Sequence, residues 1–174
     1  MILPGHLAAG FLTASAILHV TSPELAPVQA NLLLAFGTLA GDFPDVDVFY
    51  NMLKHRAISP KGLDEHRDYL THAPAIWLVA GLTIFFFASS PFYKLIGLLT
   101  WLGPWSHFLC DSIEIGVMWL WPFSRKRYAL RKELPPRETG SSSDWINLLN
   151  TYRRLYSFYA EAALVIIAII VLML

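Results

Sequence analysis

His107, Asp111 and Glu114 can each bind a metal or move a proton, and they stand in one of the most apolar parts of this 174-residue chain, within Ser106-His107-Phe108-Leu109-Cys110-Asp111 and the turn that follows. Spacings of four and three put all three on one helical face, so they can converge on a single centre. The bland alternative is a buried His–Asp hydrogen bond joining two helices, because either group left unpaired in apolar surroundings is costly.

Further candidates lie elsewhere in the chain. Asp42, Asp45 and Asp47 fall within six residues, in Gly41-Asp42-Phe43-Pro44-Asp45-Val46-Asp47. Carboxylates this close repel one another beside a membrane unless a cation or a proton neutralises them; otherwise they form a solvated acidic turn. Asp45 and Asp47 are the expected ligands, with Asp42 as a supporting group or a cap. His66 and His72 bracket His66-Arg67-Asp68-Tyr69-Leu70-Thr71-His72, a loop running into a helix, and His6 follows Pro4-Gly5. A lone histidine is more often structural. His19, with no acidic neighbour, and His55, between Lys54 and Arg56, are left out.

Imidazoles and carboxylates without thiolates suit Zn²⁺ first, with Mn²⁺ or Fe as alternatives, and fit the all-oxygen preference of Ca²⁺ poorly. The number of candidate ligands allows two or more ions, which together would activate a water and steady the leaving oxygen of a phosphoester. Asp45, Arg67 and Glu114 are the candidates for catalytic work, with Arg67 as a phosphate partner.

The elements that must position these residues are apolar helices. Hydrophobic residues make up 55% of the chain and charged residues 15%, with a mean hydropathy of +0.48. That is the composition of an integral membrane protein. Ala73 to Tyr93 is an uncharged run of 21 residues, enough for a hydrocarbon core of about 30 Å. Leu95 to Cys110 and Ala26 to Gly41 are 16 residues each, of borderline length. The tail from Ser157 to Leu174 carries only Glu161 and reads as an anchor. The N-terminal apolar stretch lacks the basic start and polar break of a cleaved signal peptide, so it reads as a retained helix. Cys110, the only cysteine, reads as a small core residue.

No segment sustains strand alternation, and the predicted fold is all-α: a multi-pass membrane bundle of about five helices, near 2–20, 28–46, 73–91, 94–121 and 145–174. In that topology every Lys and Arg except Lys94 lies on one side, in Lys54 to Arg67, Arg125 to Arg137 and Arg153-Arg154. The excess places those loops, the N-terminus and the metal site at the cytoplasmic face of the inner (cell) membrane. Arg125-Lys126-Arg127 is expected to meet anionic lipid headgroups, and no nucleic-acid partner is expected, because no aromatic-interleaved basic platform is present. The chain divides into a helical membrane domain with the metal motifs (1–125), a basic Pro- and Ser-rich linker (126–144), and an amphipathic helix, capped by Asp144, running into the anchor (145–174).

His6, Gly41-Asp42-Phe43-Pro44-Asp45-Val46-Asp47, His66-Arg67 with Thr71-His72, and His107-x-x-x-Asp111 followed by Gly116 and Pro122-Phe123 together resemble the YdjM-type family of bacterial and archaeal membrane proteins. Members are described as metal-dependent hydrolases, distantly similar to zinc-dependent phospholipase C and P1-type nucleases. The resemblance covers approximately residues 1–125. It implies a metal site of His6, Asp45, Asp47, His66, His72, His107 and Asp111. Two positions depart from the family form: the two histidines around Arg67 are six rather than five apart, with Asp68 in place of a glycine, and Glu114 replaces a threonine. The expected function is hydrolysis of a phosphoester, in a lipid or another small membrane-proximal substrate. The alternative is a non-enzymatic membrane protein that binds or transports a metal, which would carry ligands across the membrane rather than at one face. Oligomeric state is not legible.

Overall fold

The computed structural model describes residues 2–21, 24–48, 50, 66–131, 150 and 152–174. His55, the Gly140–Ser143 boundary and the cap expected at Asp144 lie outside these residues. The described part is all-helical, as expected: α1 (Leu3–Thr21), α2 (Pro27–Ala40), α3 (Pro74–Phe87), α4 (Pro91–Asp111) and α5 (Tyr156–Met173), with short 3-10 turns at Phe43–Asp45, His66–Asp68 and Leu70–His72. Proline stands in the first turn of α2, α3 and α4, where its missing N–H forfeits no helical bond.

Several boundaries differ from the sequence reading. The uncharged run Ala73 to Tyr93 is not one span. It breaks at Ala88–Ser90, because Pro91 disfavours helical backbone before it and the Ser90 hydroxyl accepts from Tyr93 N to start α4. The resulting α3 has 14 residues, as does α2, about 21 Å at 1.5 Å per residue. Among the described residues two helices are long and apolar enough to cross a membrane, α1 and α5.

The second correction concerns α4, which stops at Asp111 and not near Trp121. Ile115 and Gly116 donate to the Asp111 carbonyl, and Gly116 takes a φ of 91° that other residues rarely adopt. The chain then folds back. Val117 and Tyr128 exchange two backbone hydrogen bonds of 3.1 and 3.0 Å, and Leu130 N donates to Ser112 O at 2.8 Å. Arg131 N likewise donates to Ile113 O at 3.0 Å, so the segment up to Arg131 is bonded to the end of α4. The last helix is interrupted among the described residues: Asn150 and Tyr152 are helical, Leu155 is extended, and α5 starts at Tyr156.

Helices α1, α2 and α4 pack against one another, α3 pairs with α4, and α5 lies on α1. Ala14, Leu33, Leu95 and Leu99 form the core between α1, α2 and α4. Cys110 is buried with Ala9, as a core residue should be, and Ala160 and Leu164 of α5 pack on them. At Gly10 and Gly41 the backbones touch: a Cβ on Gly10 would lie 2.5 Å from Gly37 O, and one on Gly41 would lie 2.4 Å from His6 O. Such small-residue contacts let apolar helices approach closely where a larger side chain would hold them apart.

Candidate metal centre

Up-and-down packing brings the start of α1, the end of α2, the turn before α3 and the end of α4 to the same end of the bundle. His6 comes from the first, Asp45 and Asp47 from beyond the second, Arg67 and His72 from the third, and His107 and Asp111 from the fourth. His6, His72, His107 and Asp111 are buried to 1% exposure or less. His66 opens the His66–Asp68 turn, and the expected ligand role of its side chain lies outside what is described.

Two groups of donors converge. Asp45, His72 and His107 form one, and His6, His107 and Asp111 the other. In the first, His72 Nε2 lies 3.3 Å and His107 Nε2 3.6 Å from Asp45 Oδ1. Four donors held tetrahedrally at about 2.1 Å from one ion stand roughly 3.4 Å apart, so the separations fit a shared cation.

The other face of each ring is held. His107 Nδ1 lies 3.0 Å from the Gly41 carbonyl, which can only accept. The hydrogen is therefore on Nδ1, and Nε2 presents a lone pair to the cluster. His72 Nδ1 lies 3.2 Å from Asp47 Oδ2, and the Thr71 hydroxyl donates to the same oxygen. An imidazole backed by a carboxylate or a carbonyl is the usual arrangement of a metal-binding histidine. Asp47, expected as a ligand, stands behind His72 through Oδ2, while its Oδ1 is buried without a hydrogen-bond partner among the described residues. Burial pulls the His72 pKa down, but the hydrogen bonds and charges of Asp45 and Asp47 outweigh it and raise the value above normal. Asp42 is pushed up to about 7, by burial first and by Asp45 second; its Oδ1 is buried without a hydrogen-bond partner among the described residues.

In the second group, His6 stacks on His107, with centroids 3.7 Å apart and planes inclined by 21°. His6 Nε2 lies 3.5 Å from Asp111 Oδ1, and neither of its ring nitrogens has a hydrogen-bond partner among the described residues. Arg67 Nε donates to Asp111 Oδ2 at 3.0 Å.

Glu114, expected to act beside His107 and Asp111, is placed elsewhere. Because α4 has ended, its carboxylate turns to the start of α5, accepting from Tyr156 N, Ser157 N and Ser157 Oγ at 2.9, 3.3 and 2.6 Å. It serves as a capping anion. Sequence reasoning missed the Gly41 carbonyl, which no side-chain motif announces. It also missed a link at the buried Glu161, which accepts from Ile2 N and the Tyr152 hydroxyl and so ties the turn carrying His6 to α5; the one charge in the apolar tail was its only signal.

A helical bundle with two apolar helices long enough to cross a bilayer and a buried His–Asp cluster at one end defines a membrane protein with a candidate metal centre. A family model described as YdjM inner membrane protein matches residues 1–174, and the chain belongs to that family. No curated protein and no solved structure matches the chain.

Proposed function

We propose that this protein is a metal-dependent hydrolase of the inner membrane, acting on a phosphoester in a lipid or another membrane-proximal substrate. The observation that carries this reading is the donor set at Asp45 Oδ1, His72 Nε2 and His107 Nε2: two imidazoles fixed from behind, turned to one carboxylate at separations matching a shared ion. Zn²⁺ is the ion this set suits first, with Mn²⁺ or Fe²⁺ next. When bound, such an ion supplies Lewis acidity and lowers the pKa of a coordinated water.

The chain's own residues do the rest. Asp47 and the Gly41 carbonyl keep the two rings oriented. Asp45, with 22% of its side chain exposed, lies on the open side of the cluster, whereas Asp111 is closed off. That opening favours hydrolysis over permanent sequestration, since a catalytic site keeps a position for water or substrate. The gathering of the donors at one end of the bundle argues against a transport track. The excess of Lys and Arg in the segments at that end supports a cytoplasmic side, beside anionic lipid headgroups.

Elemental analysis of the purified protein, with His72→Ala and His107→Ala beside it, tests the centre. Bound metal in the wild type and its loss in both variants is expected; a metal-free wild type sinks the reading. A screen of phosphodiesters and phosphomonoesters with the loaded protein tests the activity, and no turnover at full loading moves the assignment to a metal-binding protein.

A further inference from the structure

The two donor groups share His107, and they are not equivalent. With His107 Nδ1 held by the Gly41 carbonyl, only Nε2 faces both groups, and one imidazole nitrogen has one lone pair for one ion. If that ion sits with Asp45 and His72, the second group retains His6 and Asp111. Asp111 is fully buried, and its Oδ2 already faces a guanidinium that is itself 10% exposed. A buried carboxylate requires a cation or an array of donors, and Arg67 supplies one. A divalent ion placed there would stand beside a fixed positive charge in a poorly screened site.

The supports differ as well. His72 is backed by Asp47 and His107 by Gly41, whereas His6 has no such partner among the described residues and is positioned by stacking. Metal-binding histidines are normally oriented by a hydrogen bond on the far nitrogen.

We infer that Arg67 occupies the second cation position of this cluster, so that the chain holds one divalent ion, at Asp45, His72 and His107, and that removing the guanidinium opens a second ion site at His6 and Asp111. Sequence alone allowed two or more ions; the Arg67–Asp111 pair narrows that to one. The inference rests on the metal-centre reading above, and the same measurement separates their failures.

The experiment is Zn²⁺ stoichiometry of the detergent-purified full chain, stripped and reloaded, by elemental analysis and by calorimetric titration. Wild type should bind one Zn²⁺ per chain, Arg67→Lys one, and Arg67→Ala approach two. A wild type with two ions overturns the inference and leaves the metal centre standing, and a wild type with none overturns both. An Arg67→Ala protein that folds and still binds one overturns the inference. Should that variant not fold, Asp111→Asn decides: one ion kept agrees with Asp111 serving Arg67 rather than the ion, and its loss makes Asp111 a ligand and sinks the proposal. The wild-type count decides between one and two whatever the variants do.

Discussion

The ring of His107 and the carbonyl of Gly41, 66 residues apart in sequence, meet in a hydrogen bond of 3.0 Å. That bond fixes which nitrogen of His107 faces the cluster. It forms because Gly41 lets the chain leaving α2 sit directly against α1, where His6 lies on the other side of the same contact. Gly41→Ala would drive a Cβ to 2.4 Å from His6 O and 2.9 Å from Gly10 Cα. The backbones must separate, at a cost of about 1–3 kcal/mol. The melting temperature is expected to fall and Zn²⁺ affinity to weaken by at least tenfold; a variant with both unchanged would show that the contact does not set the geometry of His107.

Asp47 acts through His72. Asp47→Asn removes the anion behind Nδ1 while keeping the size of the side chain. The expected result is a 10- to 100-fold loss of Zn²⁺ affinity with one ion still bound at saturation, in keeping with the usual effect of such supporting groups. Complete loss of the ion would make Asp47 a ligand.

Asp42 gives a pH dependence of definite sign. Its carboxyl ordinarily titrates at 3.8 and here is raised to about 7, by burial and by Asp45. A raised carboxyl penalises the folded state when ionised, so the penalty is absent at low pH, grows above about 4 and levels off above about 7. Asp42→Asn should therefore stabilise the metal-free protein more at pH 8 than at pH 5. Because the group is partly exposed, solvent screening cuts the roughly 4 kcal/mol equivalent of the full shift to about 1–2 kcal/mol. Thermal melts of the two proteins, followed by tryptophan fluorescence, check it; a gain independent of pH would contradict the argument.

Glu114 should matter for stability and not for metal. Glu114→Gln takes the negative charge from the start of α5 and replaces acceptor capacity with an amide donor that the two backbone N–H groups cannot use. A loss of about 1–3 kcal/mol is expected, read as a lower melting temperature with Zn²⁺ stoichiometry unchanged. A drop in bound Zn²⁺ in the folded variant would return Glu114 to the site.

Much of the centre was legible in the chain because residue type and burial conflict at His107 and Asp111: polar groups with ligand chemistry, four apart, in an apolar run. The acidic residues after α2 and His72 before α3 were legible for the same reason, since carboxylates and imidazoles at the ends of apolar helices need a counter-charge. The ends of the helices were not legible. Apolar composition continues through Ala88–Ser90 and past Asp111, so hydropathy runs straight across breaks that Pro91 and Gly116 impose. One consequence concerns depth. Read as ending near Trp121, α4 buries His107 about 21 Å from its end; with the end at Asp111, the distance is four residues, or about 6 Å.

By itself, the sequence determined the helical class, the apolar character of the helices and the identity of the groups able to hold a cation, because each follows from composition and local spacing. Which nitrogen of His72 and of His107 faces the cluster, which carboxylate also meets a guanidinium, and that Glu114 caps α5 were decided only by the tertiary structure. The physical reason is that these are contacts between helix ends distant in sequence, set by how closely Gly10 and Gly41 let α1 and α2 approach and by where α4 stops. Local spacing puts His107 and Asp111 on one face; only the packed bundle gives His107 to Asp45 and Asp111 to Arg67.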